Sequence, residues 1–341
     1  MIRFAFNPIR GIFRIALLVV FVCGLLLVGT QQTQSASPSP DTGSNELYLP
    51  AVLKPQIDGN PLPTPTPSPE GDAWLTHLNT YRTMAGLPPV LENAEWENGA
   101  YLHSRYMVKN DFIGHTENSG NPWYSPEGEQ AAQTSNLAAS HNSTADDTYA
   151  IDLWMQAPFH AIGILDPRLS QVGYGSFREE DGGLQMGATM DVIRGLGELP
   201  PTVSYPIAWP ADGKTVTLTS HFSEYPSPLS SCPGYQAPTG VPILLQIGPG
   251  DHTPKVLAHS FSKGNESLEH CVFDETSYTN PDSSAQNLGR TILGARDTIV
   301  LIPQQPLVPG TLYTVSIKLE SGMYTWSFLV SETAHQAEIA E

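Results

Sequence analysis

Cysteine is scarce, three in 341 residues. That excludes a disulfide-dense miniature scaffold and a metal centre built from clustered thiolates. Positive charge is scarce as well: 16 Lys and Arg stand against 34 Asp and Glu, for a formal charge of -18. Phosphate binding needs a cationic surface, so nucleic acid is not an expected partner, and an anionic lipid surface is disfavoured. The acidic residues are spread along the chain rather than gathered in one tail. Long apolar runs are missing except for one near the start, Ile15 to Val28. There is no His-Glu-x-x-His, the zinc-peptidase helix signature. The stretch from Gly173 to Phe177 lacks the closing glycine of a nucleophile elbow.

The one apolar run follows Arg3, Arg10 and Arg14 and precedes the small residues Ser35-Ala36-Ser37. This is the layout of a secretory signal over residues 1–36, cleaved near Ala36, and it predicts a secreted or cell-surface protein. An uncleaved anchor is the alternative, and would be the chain's only link to a membrane. Cys23 would leave with the signal. Cys232 and Cys271 remain, an even number in an oxidising compartment, and are expected to form one disulfide, with two buried thiols as the alternative.

Residues 37–71 are rich in Pro, Ser and Thr and end in Pro61-Leu62-Pro63-Thr64-Pro65-Thr66-Pro67-Ser68-Pro69. Such a tract predicts an extended spacer. Helical patterning then begins at Asp72, with Trp74, Leu78, Tyr81 and Ala85 on one face and Gly86 and Pro88-Pro89 as the stop. A second helix is predicted from Asn93 to Asn110, with His103 on its apolar stripe. A third runs from Asp146 to Ala157 and is stopped by Pro158. Two β-like runs, Gln171 to Phe177 and Leu184 to Ile193, flank a hairpin turn at residues 179–183. Helices followed by a hairpin imply an α+β sandwich.

Leu78-Asn79-Thr80-Tyr81-Arg82, Gly86-Leu87-Pro88-Pro89, His103 to Met107 and Gly114-His115 come in an order that resembles the CAP superfamily. That family comprises cysteine-rich secretory proteins, antigen 5 and pathogenesis-related proteins, with a bacterial secreted branch. Trp154 to His160, Ile164-Leu165 and Val172-Gly173-Tyr174-Gly175 continue the similarity, which covers about residues 72–195. The resemblance implies an αβα sandwich with a central cleft holding two histidines and two acidic residues, and a divalent metal such as zinc in some members. His115 and His160 match the histidines. Where the family's glutamates are expected this chain has Ser135, before Asn136-Leu137-Ala138, and Ala157. Two imidazoles alone hold zinc weakly, so only a weakly bound divalent cation at His115 and His160 is expected. Glu117, Glu127 or Glu129 could supply a carboxylate. His115, Glu117, Ser135, Asn136, Trp154 and His160 are the candidate cleft residues, and none is assigned a catalytic role.

Beyond Pro200 the sequence reads as short strands between turns. Thr215 to Ser220, Val241 to Ile247, Lys255 to Phe261, Thr298 to Ile302, Thr311 to Leu319 and Met323 to Val330 are the candidates. Residues 200–331 are expected to form an all-β immunoglobulin-like sandwich, and residues 332–341 a disordered tail. The closing strands resemble those of bacterial immunoglobulin-like surface modules. The functional expectation is a secreted protein that binds a small apolar, lipid, peptide or cell-wall ligand around His115 and His160. A metal-dependent hydrolase and an adhesion protein are the alternatives.

Overall fold

A computed structural model describes residues 73–180 and 182–335. The expected signal sequence and Pro-rich spacer, and residues 336–341 of the tail, lie outside the described residues.

The N-terminal part runs in order through α1 (Ala73–Met84), β1 (Leu91–Glu92), α2 (Ala94–Asn110), α3 (Pro126–Thr134), β2 (Ser135–Ser140), α4 (Asp147–Met155), α5 (Pro158–Ile164), β3 (Gln171–Val172), β4 (Tyr174–Arg178) and β5 (Met186–Asp191). Its helices start where side chains can satisfy the first N–H groups. Asn93 accepts from Glu95 N, Ser125 from Gly128 N and Asp146 from Tyr149 N. Pro158 does not simply stop a helix. It opens α5, because a proline at the first helical position gives up an N–H that has no partner there anyway.

A three-stranded sheet, ordered β2-β5-β4 and antiparallel throughout, forms the middle layer. All six residues of β2 are buried, so both of its faces are covered. Leu137 and Ala139 pack with Met107 and Ile113 on the α2 side. Ala138, Ala188 and Met190 face the other way, into the cluster that holds Trp74 and Trp154. α2 comes very close to the sheet. A Cβ at Gly175 would lie 2.2 Å from Tyr101 N, so only glycine allows this approach. Ser104 Oγ then donates to Gly175 O at 2.8 Å.

The C-terminal part contains β6 (Ile207–Trp209), β7 (Thr215–Leu218), β8 (Ser220–His221), β9 (Thr239–Gly240), β10 (Ile243–Gln246), β11 (Val256–Lys263), β12 (Glu266–Ser267), β13 (His270–Phe273), α6 (Ser283–Gly294), β14 (Thr298–Pro303), β15 (Leu312–Leu319) and β16 (Gly322–His335). One antiparallel sheet is ordered β13-β14-β10-β6, and a second β12-β11-β15-β16-β7. β16 pairs in parallel with β7 and continues to His335, opposite Leu218. The frayed tail therefore does not begin at residue 332, because the ladder with β7 holds the strand. β15 alternates as its sequence predicts, with Tyr313, Val315, Ile317 and Leu319 buried. Cys232 and Cys271 form the disulfide, with Cα atoms 5.6 Å apart. The polar stretch that begins at Asp274 carries α6, which Asp282 caps.

The described residues lie in one compact unit, and one cluster of buried apolar side chains runs from Trp74 to Val330. The two parts also meet through polar contacts. Gln246 Nε2 donates to Ile162 O at 3.3 Å, and Ala211 N donates to Met84 O at 3.0 Å. Arg296 Nε binds Asp166 Oδ2 at 2.9 Å, with both groups buried.

Candidate functional site

The α4–α5 junction and the start of β2 bring the predicted residues into place. His115 is half-buried, and its Nδ1 lies 2.6 Å from Ala132 O. A carbonyl can only accept, so that nitrogen carries the proton. His160 is wholly buried on α5. Its carbonyl accepts from Asn136 Nδ2 at 3.2 Å, which joins two of the predicted cleft residues directly. Ser135, also wholly buried, leads into β2, and its Oγ makes no hydrogen bond.

Glu117 and Trp154 lie elsewhere. The Glu117 carboxylate faces His103 Nδ1 at 2.9 Å and accepts from Ser125 N at 3.0 Å. His103 Nε2 in turn lies 3.0 Å from Gly114 O. Glu117 thus anchors the loop ahead of α3 to α2. The Glu129 carboxylate accepts from Glu117 N, which ties a second expected donor to the same loop. Trp154 is wholly buried, and its Nε1 donates to Leu137 O at 3.0 Å. Its ring stands edge-on to Tyr174, which stacks on Trp74. It holds the sheet from beneath and does not wall a cleft.

The carboxylate that does meet a cleft histidine is Glu224, from the loop after β8. Its Oε2 lies 2.8 Å from His160 Nδ1, and its Oε1 accepts from Phe159 N at 3.2 Å. The N-cap of α5 is Ala157, whose side chain cannot accept a hydrogen bond, so Glu224 satisfies the helix start from 65 residues away. Burial pushes the Glu224 carboxyl well above the usual carboxylate range, although the Phe159 and His160 N–H groups pull the other way.

Beside this pair stands His221, at the end of β8. Its Nδ1 donates to Gln156 O at 2.9 Å. Burial lowers its pKa to about 4, and the nearby His160 adds to that effect while the bond to Gln156 opposes it. His221 is therefore neutral at neutral pH, with its proton on Nδ1 and a lone pair on a buried Nε2 that has no hydrogen-bond partner. Neither Glu224 nor His221 was expected from the sequence. Ser220-His221-Phe222-Ser223-Glu224 reads as the end of a strand and carries no motif.

A metal centre needs three or more ligand atoms gathered at one point. Among the described residues, only Asp251, His252 and Asp297 bring three such atoms within 4.8 Å of one another. There Asp297 Oδ2 already accepts from the N–H groups of Gly250, Asp251 and His252. His115 and His160 belong to no such group. The residues around them do not fit a zinc centre, and no chemistry is routed through one.

What the arrangement offers is an enclosed polar cluster of His160, Glu224, His221 and Asn136, while His115 is half-buried and held by Ala132 O. No curated protein matches the chain. Residues 75–188 match the model of the cysteine-rich secretory protein family, CAP, and this supports placing that segment, from α1 to the middle of β5, in the CAP superfamily.

Proposed function

We propose that this chain is an exported CAP-domain protein that recognises a ligand without transforming it, and that its C-terminal β-rich part is an immunoglobulin-like module. The observation that carries the reading is the state of the cleft groups. A nucleophilic serine needs a base within hydrogen-bond reach, and Ser135 Oγ has none. Nδ1 of His115 is held by Ala132 O and Nδ1 of His160 by Glu224, and neither ring is hydrogen-bonded to Ser135 Oγ. Of the candidate cleft residues His115 alone is only half-buried, so it is the one a ligand from outside can reach. Small apolar molecules, lipids, peptides and cell-wall fragments are the ligand classes that an acidic, exported surface leaves open.

The test uses the full chain. Purified protein is offered cell-wall fragments, neutral lipid vesicles and short peptides in separate binding assays. One class is expected to bind, and His115→Ala should weaken it at least tenfold with an unchanged thermal midpoint. Hydrolysis of peptide or ester substrates that disappears in Ser135→Ala would overturn the reading. So would stoichiometric zinc that survives dialysis and is lost in His115→Ala.

A further inference from the structure

We infer that the cleft of this protein is a two-part site, in which Glu224 of the C-terminal part supplies the acid partner that positions 135 and 157 lack and acts as the positioning residue for His160. The inference rests on the reading of this cleft as the ligand site.

The argument starts from hydrogen-bond capacity. A carboxyl group has two oxygens, and Glu224 meets two nitrogens on α5, Phe159 N at 3.2 Å and His160 Nδ1 at 2.8 Å. The Glu224 and His160 side chains are both completely shielded from solvent. A proton must therefore lie between Oε2 and Nδ1, whichever group holds it. The ring is committed at Nδ1 and cannot turn over without losing that bond. Its Nε2 edge is then directed away from Glu224. On the carbonyl side Asn136 holds the same residue from β2. His221 packs into the same cluster, anchored through Gln156 O. The His160 end of the cleft is thus finished by residues that follow β7, not by the CAP segment itself.

A purely structural role, capping α5, makes a different prediction. In Glu224→Gln the amide oxygen still accepts from Phe159 N, so the cap survives. The amide nitrogen then faces His160 Nδ1, and the ring must accept there and carry its proton on Nε2. The readout is the ring N–H resonance in nitrogen-edited proton spectra of the full-length protein at neutral pH. The wild type is expected to show one low-field proton, slow to exchange, that correlates with His160 Nδ1 and vanishes in His160→Gln. It should be absent in Glu224→Gln and in Glu224→Ala, with the far-UV spectrum of Glu224→Gln unchanged. Should Glu224→Ala fail to fold, Glu224→Gln decides alone.

A Nδ1 proton that persists in Glu224→Gln, or is missing from the wild type, overturns the inference. Loss of ligand binding in His115→Ala beside an unaltered Nδ1 proton in Glu224→Gln would sink it and leave the recognition reading standing. The opposite pattern would do the reverse.

Discussion

His221 shows how burial turns one side chain into a pH-dependent stability element. Its folded pKa is lowered from 6.5 to about 4, first by desolvation. Between those values the unfolded chain takes up a proton that the folded chain refuses, so stability falls as pH drops through the window. At about 1.4 kcal/mol per unit the full loss is roughly 3 kcal/mol, complete below about pH 4. Glu224 has the opposite sign. Its pKa is raised above the ordinary 4.5, so its favourable contribution is present below that value and is lost as pH rises through the folded one. His221→Asn keeps a donor for Gln156 O and removes the titration. Urea midpoints measured from pH 4 to 8 should then fall less steeply on the acid side than in the wild type. An identical slope in both proteins would refute the role given to His221. None of this shows at residue level in the sequence, because a pKa shift comes from enclosure and local composition does not report enclosure.

At the scale of elements, three of the helices announced themselves and the edge strand β2 did not. The apolar stripes of α1, α2 and α4, and the caps of α2 and α4, are visible in the chain. Ser135-Asn136-Leu137-Ala138-Ala139-Ser140 has little β propensity and no alternation, yet forms β2 because helices cover both of its faces. α3 was also not predicted, although Ser125-Pro126 is a strong start signal, because its short apolar face is built largely from alanines. The glycines of β4 and β5 look like strand breakers, and the structure shows their purpose. A Cβ at Gly175 would meet backbone atoms of Tyr101 and Ala100, which cannot rotate away. Gly175→Ala should therefore cost about 3 kcal/mol, the upper end for overpacking, read as a lower urea midpoint with an unchanged slope. A cost below about 0.5 kcal/mol would mean that α2 does not sit this close to the sheet.

For the whole molecule, the decisive contacts cross between the two parts. Asp166 is buried, which by itself would raise its pKa, but Arg296 and Arg168 outweigh burial and hold it below the usual range. Arg296 reaches it from the far side of the chain, 130 residues on. Arg296→Met keeps the packing volume and removes the charge, leaving a buried carboxylate short of a partner. A loss of about 3–5 kcal/mol is expected by chemical denaturation. Because one apolar cluster spans both parts, tryptophan fluorescence and far-UV signals should move together in a single transition. A cost under about 1 kcal/mol, or two separate transitions, would contradict a joined core. The sequence by itself determined what depends on neighbours along the chain: the apolar stripes, the hairpin of β4 and β5, and the strands β15 and β16. Only the tertiary structure decided that Glu117 serves His103, that Trp154 lies beneath the sheet, and that His160 is paired with Glu224. Those choices depend on which distant groups burial leaves in need of a hydrogen-bond partner, and that is settled when the sheets and helices close over one another.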